Sequence, residues 1–332
     1  MSGSDRGLDD LKRALRSVVK EAVWAATSHT PGSKPDIGLF ASRRGGSTWL
    51  MQVIGSAPGV RSLDQPFSVM TANLTPGHYR RIPKYPYGEI VSPAEDEFEA
   101  LEAYVTSLLA GELPLNAPYR FWERGFERKT NRQVLKIVGA KSIIEWLDTR
   151  FGIQVVYVSR HPITQSLSCI RNGWTLTARA FLDNPRFVDA WLPGPVEARC
   201  HDLLSNGTEL ERFVMNWGLE NMVPIRSDRR DHWLNISYEH TALFPDATIE
   251  LLDSRLDLGG VEILRSALNR PSRSSRLSTA ERRNAMRRGD ARELVESPLL
   301  RVDPKQRAAA MRILDDLGVA IYSPDSALPG GE

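Results

Sequence analysis

The chain has 332 residues, of which 41% are hydrophobic and 25% are charged, and its formal net charge is +2. This length fits one large domain or two small ones, and the near-neutral charge gives no general field that would attract nucleic acid or a membrane surface. The two cysteines exclude a disulfide framework and lie outside any metal-spaced cluster, so we expect no metal and a reducing, cytoplasmic compartment.

The first 35 residues predict a helix and a linker. Apolar and basic residues recur at helical spacing over 8–26, which predicts an amphipathic helix. Such a helix packs on the body or on a second subunit, as in a homodimer, or makes peripheral contact with a membrane surface. No apolar run is long enough to span a membrane. A linker rich in Pro, Gly and Ser follows, and we expect a single domain over 36–332.

Residues 37–54 predict a strand, a glycine-rich turn and a helix. The apolar run 37–41 is followed by the polar turn 42–48 and then by apolar residues at helical spacing. Such a turn cradles phosphate, because its backbone N–H groups converge at a helix N-terminus. The residues that would hold the anion are Arg44, Gly45, Gly46, Ser47 and Thr48. The GxxxxGK(S/T) pattern of ATP-binding P-loops is absent, which counts against a kinase.

Two further buried strands are predicted at 134–138 and 154–159. The first has Lys136 at its centre, which is unusual because a lone buried lysine is costly. The second is followed by Arg160, by a proline at a helix start, and by Ser168 eight residues after Arg160. If the first helical turns bring Ser168 back toward the strand end, this Arg and Ser would share one anion.

Strands and helices alternate along the chain, and its second half is rich in helices. Helices are predicted over 95–109, 142–150, 210–219, 247–256 and 305–317, a further strand over 233–239, and a frayed tail over 323–332. The alternation predicts an α/β fold, a three-layer sandwich with a central parallel sheet. Ligands of such sheets bind beyond the carboxyl ends of the strands, where both turns fall.

The two turns together resemble the sulfotransferases that use 3′-phosphoadenosine 5′-phosphosulfate (PAPS). The first motif of that family reads roughly P-(K/R)-S-G-(S/T)-T-x-L, and residues 43–50 match it with Arg for the leading Pro and Gly45 for Ser. The second motif is a strand ending in Y-V-x-R-(N/D)-P, with a Ser eight residues past the Arg. Residues 157–162 and Ser168 match it, with His161 in the Asn/Asp position. The resemblance covers roughly residues 36–275 and implies the P-loop-like fold of the soluble members.

The resemblance implies sulfuryl transfer from PAPS to a hydroxyl, or less readily an amine, of a small-molecule, lipid or glycan acceptor. The product would be 3′-phosphoadenosine 5′-phosphate (PAP), and no metal is required. Arg44 and the backbone of 45–48 would bind the 5′-phosphate, and Lys136 would lie near the sulfuryl oxygens. Arg160 and Ser168 would bind the 3′-phosphate, which distinguishes this donor from ATP.

Two parts of the implied site have alternatives. By the resemblance Trp49 would lie against the adenine, although a core position at the sheet edge fits the sequence as well. A late basic loop would close over the 3′-phosphate, and two segments qualify. One is 270–276, with Arg273 as the candidate side chain, and the other is 287–290; a solvated charge run is the alternative for both.

The sequence does not decide which residue is the catalytic base. Relatives carry a Glu in a Gly-Glu-Pro-Phe segment, where this chain has Asp64 and Gln65, and a catalytic His at the position of Val138. Because a glutamine does not take up a proton at neutral pH, Asp64 is the first candidate and Glu145 the second. An acidic phenol acceptor would need little help from a base.

Two other functions are weighed against sulfuryl transfer. A nucleotide or small-molecule kinase of the same architecture would need the missing GK(S/T) and Mg-binding signals. A non-catalytic protein that kept the nucleotide pocket but lost its base would account for Gln65 and Val138. Phenols, lipids, glycans and natural-product hydroxyls all fit as acceptors, since function resides in the site rather than in the fold.

Overall fold

The structure is a computed structural model that describes residues 22–68, 88–113, 126–268 and 288–330, with the single positions 15, 18, 19 and 284. Seven strands form two parallel sheets in this part of the chain. They are β1 (Ser28–His29), β2 (Ile37–Ala41), β3 (Val60–Asp64), β4 (Lys129–Thr130), β5 (Arg132–Ile137), β6 (Gln154–Ser159) and β7 (Leu234–Ser237). The central sheet has the order β3-β5-β2-β6-β7, and β1 pairs with β4 in a separate short ribbon.

Helices flank the central sheet. In chain order they are α1 (Ser47–Ile54), α2 (Glu95–Leu109), α3 (Ile144–Phe151), α4 (Pro162–Arg171), α5 (Ala178–Leu182), α6 (Pro185–Trp191), α7 (Gly194–Asn206), α8 (Glu209–Arg226), α9 (Tyr238–Leu243), α10 (Pro245–Leu256), α11 (Val261–Leu268), α12 (Ala291–Leu300) and α13 (Pro304–Asp316). Within the described ranges, none of them combines the length and the hydropathy needed to cross a membrane. The predicted α/β architecture with a central parallel sheet is confirmed.

The central strands are buried on both faces, which is why they read as continuous apolar runs. All five residues of β2 are buried, and they alternate between two apolar clusters. Ile37 and Leu39 face the smaller cluster, with α1 and α10, whereas Phe40 faces the larger cluster, with α8 and α13. The sheet is therefore a fixed platform, and its carboxyl edge holds the turns that follow each strand.

The strand predicted over 233–239 is wrong at its carboxyl end. β7 stops at Ser237, whose hydroxyl accepts a hydrogen bond from the backbone N–H of His240 at 3.0 Å and caps α9. Tyr238 and Glu239 are therefore helical, and both project toward the carboxyl edge of the sheet. The serine side chain accepts a hydrogen bond from a backbone N–H of the first helical turn. This bond favours the start of a helix over continuation of the strand.

The frayed tail predicted over 323–332 is wrong for its described part. Tyr322 is buried and bridges to Pro329, and the carbonyl of Ser323 accepts a hydrogen bond from His161 Nε2 at 3.1 Å. The segment that follows α13 is therefore packed against the turn after β6.

The amphipathic helix predicted over 8–26 is only partly described. Positions 15, 18, 19 and 22–25 are helical, and the side chains of Leu15, Val18 and Val19 are exposed. The rest of that helix lies outside the described residues, so its packing on the body, on a second subunit or on a membrane stays a prediction.

Gly38 is required by packing in the centre of the sheet. A Cβ at this position would lie 2.7 Å from Phe40 Cε2 and 2.8 Å from Ile153 Cδ1. We expect Gly38→Ala to lower the free energy of unfolding in urea by about 1–3 kcal/mol, the usual cost of overpacking. Gly194→Ala is the matched control, because no described atom lies within 4 Å of its added Cβ. Equal stabilities of the two variants would contradict this packing.

Candidate functional site

The two predicted anion-binding turns lie side by side at the carboxyl edge of the sheet. β2 and β6 are adjacent parallel strands, and Ala41 is in register with Val158. The turn after β2, residues 42–46, and the turn after β6, residues 160–161, therefore leave the sheet at the same level. The register of the strands, rather than any loop, sets the distance between the turns.

The turn after β2 has the left-handed backbone that a phosphate cradle needs. Arg44 has φ 63° and Gly46 has φ 90°, and Gly46 is the N-cap of α1. A Cβ on Gly46 would lie 2.6 Å from Tyr238 Cδ2, and a Cβ on Gly45 would lie 2.9 Å from the carbonyl oxygen of Ser42. Both glycines are thus required, and the first N–H groups of α1 point out of the turn.

The arginines and the serine of the two motifs are in direct contact. Arg160 Nη1 donates to the carbonyl oxygen of Arg44 at 2.6 Å. Arg44 Nε in turn donates to Ser168 Oγ at 3.1 Å. The helix α4 brings Ser168 back to the strand end, as its spacing predicts. Two guanidinium groups and a hydroxyl thus converge at one point of the carboxyl edge, next to the glycine turn.

Tyr238 lies between the turn after β2 and Arg160. The Arg160 guanidinium carbon is 4.5 Å from the centre of the Tyr238 ring, a cation–π contact. Trp49 meets the same ring edge-on at 6.4 Å, and its Nε1 donates to the carbonyl of Leu268 at 2.8 Å. Trp49 is half-buried and packs against the smaller apolar cluster, so its indole lines the same edge.

A buried carboxylate, that of Glu239, holds the turn after β6. Glu239 Oε1 accepts the backbone N–H of His161 at 3.0 Å, and Glu239 Oε2 accepts the hydroxyl of Tyr322 at 3.2 Å. Burial raises the pKa of Glu239 to about 7, against the opposing charge of Arg160. Burial also lowers the pKa of His161 to about 4, so this ring is neutral and caps α4 through the N–H of Ile163.

Lys136 crosses from β5 to the start of α1. Its Nζ donates to Thr48 Oγ1 at 3.2 Å and forms an ion pair with Asp64 Oδ1 at 2.5 Å. The lysine side chain is 5% exposed and the aspartate side chain 27% exposed, so Asp64 compensates the buried charge of Lys136. Lys136 and Asp64, which were both predicted to be catalytic, are thus the two members of one ion pair.

A buried ionic network holds the turn after β2 from the opposite face of the sheet. Glu220 of α8 pairs with Arg43 Nη2 at 3.3 Å and with Lys141 Nζ at 3.2 Å. Lys141 also donates to Ser42 Oγ at 2.8 Å. Burial alone would raise the pKa of Glu220, but the two cations lower it to about 2. Arg43, which replaces the leading proline of the family motif, therefore anchors the turn.

One titratable residue of this edge is missed by the sequence patterns. Glu89 is 6% exposed, and its Oε2 lies 3.5 Å from the position of a Cβ on Gly139, just beyond β5. Burial, and next the charge of Glu220, raise the pKa of Glu89 from its ordinary value of 4.5 to about 8. The residue stands in a stretch without periodicity, and its proximity to Glu220 depends on tertiary packing, so no sequence signal indicates it.

The remaining predicted residues are placed as follows. Val138 is buried just past the end of β5, and Gln65 has a left-handed backbone with φ 54°. Glu145, on α3, lies in the field of Arg229. No group of three or more His, Cys, Asp or Glu side chains that would hold a metal is present among the described residues.

Only part of the two late basic segments is described. Arg273 and the whole loop 270–276 lie outside the described residues. In the segment 287–290, Arg288 pairs with Glu293 at 2.7 Å and Asp290 caps α12, which packs on α4 and α9. Residues 288–290 are therefore held against α12. This helix packs on α4, which carries Ser168.

Comparisons with known proteins give no family assignment. No family model matches the chain, and no curated protein matches it. Mouse sulfotransferase SULT7A1, solved in complex with PAP, is similar over 90% of this chain and 87% of its own, at 14% identity and a TM-score of 0.35. The sulfotransferase domain from the curacin biosynthetic pathway is similar over 88% of this chain and 99% of its own, at 15% identity and a TM-score of 0.41. Function must therefore be argued from the site itself.

Glu220 is the residue whose loss should damage this edge most. Glu220→Ala leaves the charges of Arg43 and Lys141 buried without compensation, a loss that typically costs about 3–5 kcal/mol. We expect a decrease of this size in the free energy of unfolding measured in urea. Glu250→Ala, an exposed glutamate on α10, should change it by about 0.5 kcal/mol or less. A small effect at Glu220 would show that the network is dispensable.

Glu89 should make stability depend on pH. Because its pKa is raised from 4.5 to about 8, the folded state retains a proton that the unfolded state loses in this window. Relative to Glu89→Gln, the wild type should lose stability from pH 4.5 to about 8, by at most about 1.4 kcal/mol per pH unit, and level off above. Urea unfolding of both proteins across this range measures the difference. Parallel curves would place the Glu89 carboxyl in water.

Proposed function

We propose that this protein is a PAPS-dependent sulfotransferase. The observation that carries the proposal is the contact between the two anion-binding turns, in which Arg160 Nη1 lies 2.6 Å from the carbonyl oxygen of Arg44. A nucleotide with phosphate on both sides of its ribose needs two cationic sites within a few ångströms of each other. ATP carries phosphates on the 5′ side of its ribose only, so an ATP site would not need a second cationic site for a 3′-phosphate.

The described residues fit this donor. The turn after β2 has the left-handed backbone at Arg44 and Gly46 that a phosphate-binding turn requires. The N-terminus of α1 and Arg44 provide the charge for a 5′-phosphate. Arg160 and Ser168 provide a charged and a neutral donor for a 3′-phosphate. Trp49 lies at the same edge, where an aromatic face would stack on adenine for about 1–3 kcal/mol.

The chemical contributions of these residues follow from their positions. The backbone N–H groups at the start of α1, together with Arg44, would stabilise the negative charge that grows on the 5′-phosphate as it leaves. Lys136, held against Thr48 at 3.2 Å, would act on the sulfuryl oxygens. Losing one such electrostatic partner typically costs about 10²–10³ in rate. The attacking oxygen would belong to a hydroxyl of a small-molecule, lipid or glycan acceptor.

The donor preference is tested by thermal unfolding with ligands. PAP at 100 times its dissociation constant should stabilise the protein by about 2.7 kcal/mol, whereas ATP with Mg²⁺ at the same concentration should stabilise it far less. The reverse order would indicate a kinase. Release of PAP from PAPS across a panel of phenols and alcohols then tests turnover. Tight PAP binding without turnover of any acceptor would favour a non-catalytic nucleotide-binding protein.

Arg160 should determine the preference for a 3′-phosphate. We expect Arg160→Ala to weaken the binding of PAP by about 10–100-fold, the value of one or two charge-assisted hydrogen bonds, and that of adenosine 5′-phosphate by about threefold or less. Titration calorimetry gives both constants, and their ratio is independent of a general loss of stability. Arg171→Ala, at an exposed position of the same helix, is the control. Equal weakening of both ligands would remove Arg160 from the 3′ site.

A further inference from the structure

The segment that follows α13 reaches the turn after β6 through two consecutive residues. Tyr322 is buried, and its ring meets the His161 ring edge-on at 5.1 Å. The carbonyl oxygen of Ser323 accepts a hydrogen bond from His161 Nε2 at 3.1 Å, across 162 positions of the chain. Because His161 directly follows Arg160, this distant segment lies against the residue next to the proposed 3′-phosphate arginine.

The hydroxyl of Tyr322 closes a circuit of hydrogen bonds around the backbone of Arg160. Tyr322 donates to Glu239 Oε2 at 3.2 Å, and Glu239 Oε1 accepts the backbone N–H of His161 at 3.0 Å. Ser159 Oγ lies 3.0 Å from the Tyr322 oxygen. Since Tyr322 gives its one proton to the carboxylate, the Ser159 hydroxyl is the donor in that contact. Ser159 and His161 are the chain neighbours of Arg160, so the circuit holds the backbone on both sides of it.

Every member of this circuit is withdrawn from water. The exposed fractions are 7% for Ser159, 0% for His161, 1% for Glu239 and 5% for Tyr322. Hydrogen bonds to an ionised group are stronger than those between neutral groups, and a buried carboxylate that loses a donor carries the full cost of its desolvation. The circuit is therefore a firm support for the turn after β6.

Core packing accounts for the ring of Tyr322 but not for its hydroxyl. The ring meets the rings of His161 and Trp217 edge-on, at 5.1 and 6.3 Å, and a phenylalanine would make the same contacts. Burial of a hydroxyl is costly unless it is hydrogen-bonded. The hydroxyl reaches Glu239 and Ser159, so its specific contribution is made to the circuit.

The side chain of Arg160 leaves this circuit toward the glycine turn. Its Nη1 donates to the carbonyl oxygen of Arg44 at 2.6 Å, and its guanidinium carbon lies 4.5 Å from the centre of the Tyr238 ring. Tyr238 and Glu239 are consecutive in α9, so one helix start contacts both the side chain of Arg160 and the backbone beside it. A displacement of about 1 Å in a binding group can cost about 100-fold in rate, so the support of this backbone matters.

We propose that Tyr322 is a positioning residue for the 3′-phosphate site, an inference that rests on the proposed function. Its hydroxyl holds the Glu239 carboxylate against the backbone N–H of His161, and this bond sets the direction in which Arg160 leaves the strand. Binding groups keep their geometry when outer hydrogen bonds lock the residues that carry them. The segment after α13 thereby takes part in the recognition of the nucleotide without touching it.

The test compares the affinities for PAP and for adenosine 5′-phosphate in Tyr322→Phe and in a matched control. Tyr104→Phe is the control, because Tyr104 is also buried and its hydroxyl donates to the carbonyl of Pro66, just after β3, three places from β6 in the sheet. By titration calorimetry Tyr322→Phe should bind PAP about 3–10-fold more weakly, the value of one hydrogen bond, and adenosine 5′-phosphate within about twofold of wild type. Tyr104→Phe should keep the wild-type ratio of the two affinities.

Ser159→Ala opens the same circuit at its other end and removes only one small hydroxyl. We expect it to lower the ratio of PAP to adenosine 5′-phosphate affinity in the same direction as Tyr322→Phe. The ratio is independent of a general loss of stability. A wild-type ratio in both variants would overturn the role of Tyr322.

A double-mutant cycle separates positioning from a general structural effect. In an Arg160→Ala background, Tyr322→Phe should change the PAP affinity by about twofold or less, because no guanidinium is left to direct. The same loss in both backgrounds would overturn the proposal. Wild-type protein that binds PAP no more tightly than adenosine 5′-phosphate would overturn the proposed function itself, and this inference with it.

Discussion

The hydrogen bond from Arg160 to the carbonyl of Arg44 is the contact on which the site depends. It joins the turns after two neighbouring parallel strands, and the register of β2 with β6 makes it short. Much of the surrounding structure holds its two ends in place. The Tyr238 ring packs on the guanidinium and Glu239 holds the backbone N–H of His161, while Arg43 anchors the turn after β2 through Glu220. The proposed site for two phosphates would thus rest on the sheet geometry and on a few buried side chains.

Ion pairs hold three of the cations around the glycine turn. Lys136 has Asp64 as its partner, and Arg43 and Lys141 share Glu220. Arg44 is half-buried, and its Nε donates to the hydroxyl of Ser168. Buried ion pairs contribute little net stability, but breaking one is costly. Their role here is to fix the conformation of the glycine turn.

Local patterns predicted the central strands and several helices, because apolar runs between turn residues determine them, but they gave no separate helices over 178–206, 261–268 or 291–300. They also predicted that Arg160 and Ser168 return to the glycine turn. They were wrong at Tyr238, where a serine cap ended the strand, and at Tyr322, whose burial depends on a distant helix. Glu89 was not indicated, because its environment is assembled from α8 and from the turn after β5. Sequence patterns predict which residues begin an element, whereas the pKa and the partners of a buried carboxyl are tertiary properties.

A crystal structure of the protein with PAP tests the central claim most directly. The account predicts the 5′-phosphate in the turn 44–48, on the N–H groups at the start of α1, and the 3′-phosphate within hydrogen-bond distance of Arg160 and Ser168. The adenine should lie beside Trp49. Density for the nucleotide at any other edge of the sheet, or a 3′-phosphate turned to solvent away from Arg160, would contradict it.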